Sequence, residues 1–259
     1  MTTPTMTSPA APMERKAWVE QVMGMPVSIH LRGHELSRPR AVEAVRAAYA
    51  TLRRLDGIFS TYRPDSEVMR LQRGEVSIGQ CCVEVREVLA IGEQAERRTG
   101  GAFTTLLPTG AGELAFDPTG LVKGWAVDVV ARELAGLSDV SYCINAGGDL
   151  LIGAHPDVPL SGSGSISWRV GIEDPRDRSA IVRTVPMTHG AVATSGTAAR
   201  GAHLYDPATG EYVGRSGSVT VIGPELVWAD IWATALFVGG EPAREAFALA
   251  APDYLSTVL

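Results

Sequence analysis

Apolar residues recur at helical spacing in several stretches of the chain. In "RPRAVEAVRAAYATLRRLDGIFS" (38 to 60), Ala41, Val45, Ala48, Leu52 and Leu55 fall three or four apart, which predicts a helix closing at Gly57. "STYRPDSEVMRLQRG" holds turn chemistry and then a short helix capped by Asp65 or Ser66, and "VEVREVLAIGEQAERRTGG" is a further amphipathic helix ended by Gly100 and Gly101. "LVKGWAVDVVARELAGL" (121 to 137) has helical period, and a closing helix or helix pair is expected from about Trp228 to about Ala250.

Elsewhere the period shortens to that of strands. "VEQVMGMPVSIHLRG" (19 to 33) alternates as one strand broken at Gly24, where backbone or ligand can approach closely. "VSYCINAGG" is a buried strand and "DLLIG" begins the next. "WRVGIEDP", "RTVPMTHGAVATSG", "GAHLYDPATGEYV" and "SGSVTVIGP" are short strands separated by Gly, Pro and Asp turns. Strands in runs, with helices before and after, predict an α+β fold of mixed or antiparallel sheets with flanking helices.

Composition narrows the function classes. With 259 residues, 45% of them hydrophobic, the chain can bury a sizeable core. A net charge of -6 and the lack of a Lys/Arg-rich run argue against a nucleic-acid partner. No run of ~20 apolar residues exists, so no membrane association is expected. The first residues are rich in Thr, Pro and Ala and lack the pattern of a secretory signal or lipobox, so residues 1–17 are expected to be a disordered tail, 18–259 the domain, and the location cytoplasmic. Cys81 and Cys82 are adjacent and poorly placed to bridge each other, and no Cys/His metal spacing is present. "SGSGS" (161 to 165) reads as an exposed loop.

Four stretches carry candidate chemistry, each with a plain structural alternative. "FDPTGLVKGWAVD" (116 to 128) sets Asp117, Thr119 and Gly120 at the mouth of a helix, where outward N–H groups attract anions and Lys123 can meet a phosphate; an ordinary capped turn has the same residues. "INAGGDL" (144 to 150) lets main chain pass against a flat or charged ligand, or is a common strand-to-strand turn. "ATSGTAARGAHLYDPATG" (193 to 210) gathers Thr194, Ser195, Gly196, His203, Asp206 and Thr209; histidine is the side chain most suited to proton transfer near neutral pH, and also a common structural residue. In "VWADIWATALFVGG" (227 to 240), Asp230 and Thr234 share one helix face. They are either a helix-end acid with a back-bonding threonine, or oxygen ligands for Mg²⁺ completed by a backbone carbonyl from elsewhere.

Taken in order, "VMGMPVSI", "FSTYRPDSEVMRL", "GAFTT", "FDPTGLVKGWAVD", "INAGGDLLIG", "WRVGIEDP", "AVATSG", "HLYDPATG", "SVTVI" and "ADIWATALFVGG" resemble the ApbE family, the FAD:protein FMN transferases, over about residues 19 to 241. The resemblance implies a T-fold-like architecture and Mg²⁺-dependent cleavage of FAD, with FMN passed through a phosphoester bond to a threonine or serine of an acceptor protein and AMP released. It implies Gly120 (through its carbonyl), Asp230 and Thr234 as metal ligands and His203 as the base. Contacts to FAD are implied for Met23, Tyr62, Ala102, Phe103, Thr104, Asp117, Lys123 and Tyr205. Mn²⁺ would suit the same oxygen ligands as Mg²⁺. Hydrolysis of FAD to free FMN and AMP, or FAD binding without catalysis, would use the same residues. The chain departs from the family pattern at Met25, where threonine is usual, and at Thr104, where aspartate is common. Only 12 residues separate Thr104 from Asp117, which predicts a trimmed pocket rim.

Overall fold

The structure is a computed structural model and describes residues 13–109, 112–159, 162, 165–197 and 203–259. The expected tail up to residue 12, and residues 161, 163 and 164 of the Ser/Gly run, lie outside the described residues. Strands β1 (Glu14–Val22) and β2 (Met25–Gly33) open the chain, followed by helices α1 (Pro39–Phe59), α2 (Glu67–Gln72) and α3 (Val83–Arg98). A small hairpin, β3 (Leu106–Pro108) and β4 (Leu114–Phe116), leads to α4 (Thr119–Ala135). Then come β5 (Val140–Ala146), β6 (Asp149–Ala154), β7 (Trp168–Asp174), β8 (Asp177–Met187) and β9 (Gly190–Gly196). After β10 (Tyr205–Asp206), β11 (Glu211–Tyr212) and β12 (Ser218–Gly223), the chain closes with α5 (Leu226–Ala250) and β13 (Leu255–Val258).

Seven strands form one sheet in the order β1-β2-β5-β6-β9-β12-β13, with every neighbouring pair antiparallel. Side-chain alternation divides its two faces. Ile29, Ile144, Leu151, Ala191 and Val221 point into the main core with α1, α4 and α5, whereas Cys143, Ile152 and Val192 point the other way, onto Trp168, Val170 and Met187 of the β7–β8 hairpin. Covering both faces explains why β5 is buried at nearly every position rather than at alternate ones. The α+β expectation holds.

Helix α1 forms where its periodicity predicted, with Pro39 in its first turn and Ala41, Val45, Ala48, Tyr49, Leu52, Leu55 and Phe59 buried. Each fully buried leucine among these contributes about 1.5–3 kcal/mol. The Tyr49 hydroxyl reaches the carbonyls of Trp18 (2.9 Å) and Val27 (3.0 Å), tying the helix to the first hairpin. The helix runs through Gly57 to Phe59, because the continuing apolar face outweighs one glycine's cost of about 1 kcal/mol. Ser66, not Asp65, caps α2, accepting from the Met69 N–H at 3.2 Å.

Three further expectations change. The stretch at 19 to 33 is a two-strand hairpin rather than one broken strand: Met23 and Gly24 both adopt positive φ (55° and 72°), as a tight two-residue turn between Val22 and Met25 requires. β1 starts at Glu14, earlier than the boundary expected at 18. "RTVPMTHGAVATSG" divides into the end of β8 and all of β9, two strands in different sheets. Of the two forms expected for the closing segment, a helix or a helix pair, α5 takes the second, broken where Gly240 takes φ 59° and ψ -136° two residues before Pro242. No helix among the described residues is long and apolar enough to cross a membrane.

Candidate active site

The start of α4 is built by its own sequence. Pro118 cannot donate a backbone hydrogen bond, and the Asp117 carboxylate accepts from the Thr119 N–H at 3.0 Å, while the Asp117 N–H is held by the Thr105 carbonyl at 2.7 Å. Asp117 therefore forms a local turn just ahead of the helix, whose N-cap position is held by Pro118, and it also faces the large cavity. Gly120 lies against Phe103: a Cβ there would come within 3.3 Å of the ring, so glycine lets the phenyl group pack onto the helix mouth. One turn on, Lys123 enters the same space.

Lys123 meets two carboxylates. Its ammonium pairs with Asp149 Oδ2 and lies 3.3 Å from Asp230 Oδ2. Burial by itself would lower the lysine pKa, but the charges of Asp230 and Asp149 outweigh it and hold the group above the ordinary lysine value, so it stays protonated. Asp149, the acid after the paired glycines, is buried, and its other oxygen accepts from the Thr194 N–H at 2.9 Å. The cluster thus ties α4, β6, β9 and α5 together.

Asp230 and Thr234 stand one turn apart on α5, as their spacing predicts. The Thr234 hydroxyl shares a 2.9 Å hydrogen bond with the Ser195 hydroxyl. Around them Trp228, Ile231, Trp232, Ala235, Leu236 and Phe237 are all buried, which fixes the rotation of the helix about its axis. The polar pair is left facing the cavity.

That cavity has a volume of about 900 Å³. The twelve residues that the family resemblance pointed to line it: Met23, Tyr62, Ala102, Phe103, Thr104, Asp117, Gly120, Lys123, His203, Tyr205, Asp230 and Thr234. Thr194, Ser195 and Gly196 line it too, whereas Asp206 and Thr209, gathered with them in the sequence, are not among its lining residues. Phe103 is buried at 3% exposure, whereas Tyr62 at 94% stands at the rim with its ring in solvent. Met23 contributes from the strained hairpin turn. Thr104, in the position where an aspartate is common, accepts from the Leu106 N–H at 3.1 Å and so starts the β3–β4 hairpin. Leu107 on that hairpin lines the cavity.

Sequence reasoning left out several lining residues. Asp149 was visible only as the acid of a Gly-rich turn, and Asp56 and Arg63 carried no signal. Asp149 matters most, because it shares Lys123 with Asp230. Among the described residues no three His, Cys, Asp or Glu side chains gather as a metal cluster, so a cation here would depend on carbonyl and hydroxyl oxygens beside one or two carboxylates. Gly120, Asp230 and Thr234 all line the cavity, and a carbonyl, a carboxylate and a hydroxyl are a donor chemistry that fits Mg²⁺ or Mn²⁺.

Comparison with known proteins follows the same lines. An FAD:protein FMN transferase from Vibrio cholerae is 34% identical over 140 residues, which is 50% of this chain and 40% of that relative. One from Escherichia coli is 34% identical over 146 residues, 51% of this chain and 39% of its own length. The matched stretch thus spans about two fifths of these curated relatives. The fold is shared more widely. A Thermotoga maritima ApbE protein superposes with a TM-score of 0.77 at 20% identity, covering 95% of this chain and 94% of that one. The flavin transferase ApbE of Vibrio cholerae gives 0.72 at 21% identity, covering 95% and 97%. The family model described as "ApbE family" matches residues 23–109 and 107–258, and the chain belongs to that family.

Proposed function

We propose that the protein cleaves FAD at its diphosphate and transfers FMN to a threonine or serine hydroxyl of an acceptor protein, releasing AMP. The observation that carries this reading is the convergence of twelve residues, spread from Met23 to Thr234, on one cavity of about 900 Å³. That volume is at the upper end for ligand pockets and suits a dinucleotide. The names of the curated relatives point the same way.

The residues divide the work by chemistry. Phe103, Met23 and the rim Tyr62 give apolar and aromatic surface for the flavin ring system. Lys123, kept protonated by its two carboxylates, offers a fixed positive charge to the diphosphate. The acceptor oxygen forms a bond to the FMN phosphorus, the bond from that phosphorus to the AMP oxygen breaks, and the hydroxyl proton passes to His203. Asp230, Thr234 and the Gly120 carbonyl would hold a divalent cation, which when bound supplies charge neutralisation at the diphosphate. Ser195 fixes the Thr234 hydroxyl for that role.

The test is incubation with FAD, Mg²⁺ and a threonine-containing acceptor protein. AMP release together with flavin that stays on the acceptor after denaturation supports the reading. AMP and free FMN in solution, with no bound flavin, would replace it with FAD hydrolysis. Neither product would refute both.

A further inference from the structure

The ligands assigned above come from two helices that must be held in register. Gly120 and Lys123 lie in the first turns of α4, and Asp230 and Thr234 in the first turns of α5. Besides the Lys123–Asp230 ion pair, two contacts hold these helices together. At Gly124 they touch so closely that a Cβ would sit 2.9 Å from the Leu226 carbonyl oxygen and 2.9 Å from the Val227 Cα. One turn further along α4, the Asp128 carboxylate accepts from the Leu226 N–H at 3.0 Å through one oxygen and from the Val227 N–H at 2.8 Å through the other.

Those N–H groups are the unsatisfied donors of the first turn of α5, and the N-cap residue Glu225 makes no side-chain cap of its own. The cap therefore comes from a different helix. We propose that Asp128 is a positioning residue of the active site: by capping α5 from α4, it fixes where Asp230 and Thr234 stand relative to Gly120. Asp128 does not line the cavity, so its effect travels through the helix. Because Val227 is three residues before Asp230, a change in how the first turn is held is passed directly to the carboxylate. This inference rests on the metal reading given under Proposed function.

The chemistry of the cap predicts a pH dependence. Burial raises the Asp128 pKa to about 6 against the opposing hydrogen bonds from Val227 and Leu226. The groups that face it are Glu225, which raises it further, Arg132, which lowers it, and the phenols of Tyr142 and Tyr254. A proton on one oxygen turns an acceptor into a donor opposite an N–H, leaving a one-bond cap without the charge that suits a helix N-terminus. Cation affinity should then weaken as the pH falls through about 6.

The experiment uses the full chain and Mn²⁺ alone, with bound ion read from loss of the free-ion EPR signal, and thermal unfolding measured alongside. Asp128→Asn keeps the shape but replaces one acceptor by a donor. It is expected to raise the Mn²⁺ dissociation constant about tenfold at pH 7.5, the tenfold of a 1.4 kcal/mol bond-level change, and to flatten its dependence between pH 5 and 7. Glu225→Gln, at an exposed position, should fold normally and move the wild-type affinity profile to lower pH. If Asp128→Asn binds Mn²⁺ as tightly as wild type and only melts earlier, Asp128 is a helix cap and nothing more. An unshifted profile in Glu225→Gln overturns the inference independently, even where Asp128→Asn fails to fold. Wild type that binds no Mn²⁺ overturns the metal reading itself, an outcome distinct from equal binding by wild type and variant.

Discussion

The two faces of the main sheet bury polar groups in opposite ways. On the outer face the Trp168 indole N–H donates to the Ser141 hydroxyl at 2.8 Å, and that hydroxyl lies 3.2 Å from the Gly153 carbonyl. Arg32 stacks 3.9 Å over the same indole, and the His30 ring meets it edge-on. Burial, with the nearby Arg32 charge second, pushes the His30 pKa down, so the ring is neutral at ordinary pH. Donors and acceptors are matched inside packed apolar surface. On the helix face, Lys123 faces both Asp149 and Asp230 beside a large cavity, so two carboxylates meet at one ammonium. Buried polarity occurs on both sides. What separates a site from a packed wall is charge gathered beside open volume.

The largest expected effect comes from removing one of the two carboxylates. Asp230→Ala should lower kcat/KM for Mg²⁺-dependent FAD cleavage on the order of 10³-fold, the several kcal/mol a positioned cation supplies. Rates of AMP release check it. The same substitution should leave the protein folded, because Lys123 keeps Asp149 as its partner. On the outer face the expectation reverses. Trp168→Ala should cost about 3–5 kcal/mol in urea unfolding, with turnover per folded molecule unchanged. A turnover loss for Trp168→Ala comparable to that of Asp230→Ala would collapse the contrast between the faces.

Much of the fold was legible because its signals are local. The apolar stripe of α1 and the break at Gly240 and Pro242 depend on neighbours a few residues away. β13 was not, since four residues with one weak alternation become a strand only by pairing with β12. The hairpin at Met23 was missed for a different reason: a methionine with positive φ is disfavoured and is imposed by the register of β1 on β2. In the site, Asp230 and Thr234 were legible as a pair, but their spacing alone supports a capped helix equally well, and family resemblance decided the reading. Asp149 escaped because its partners, Lys123 and Thr194, lie 26 and 45 residues away along the chain. A Gly-Gly-Asp turn has the same sequence whether or not a lysine waits beside it.

A smaller effect sharpens the contrast through pH. Asp128 is a buried carboxylate on the helix face with a folded-state pKa of about 6, raised from an ordinary 3.8. The folded state therefore holds this proton more tightly than the unfolded chain. Its stabilising contribution is fully present below about pH 4 and is lost as the pH rises through 6, amounting to at most about 3 kcal/mol for a shift of two units. Asp128→Asn cannot lose that proton. Its stability relative to wild type should rise by up to the same amount between pH 4 and 7.5, measured by urea unfolding at both ends. The predicted Mn²⁺ affinity of wild type moves the other way over this interval, so the group that weakens the fold at neutral pH is the one that holds the site.

The smallest effect tests whether the outer face is as independent of chemistry as its matched polar groups imply. Arg32 sits over Trp168 and donates to the Ser167 carbonyl at 2.9 Å, yet much of its side chain reaches solvent. At such a position a cation over an aromatic ring contributes about 0.5–1 kcal/mol. Arg32→Met keeps an apolar stem on the indole while removing the charge and the hydrogen bond. Urea unfolding should therefore show a loss of about 1 kcal/mol at most, and FAD cleavage should proceed at the wild-type rate. Relief of the nearby charge should also raise the His30 pKa, readable by NMR titration of its ring protons. If turnover falls while stability holds, charge on the outer face reaches the cavity through the sheet, and the two faces act as one electrostatic unit.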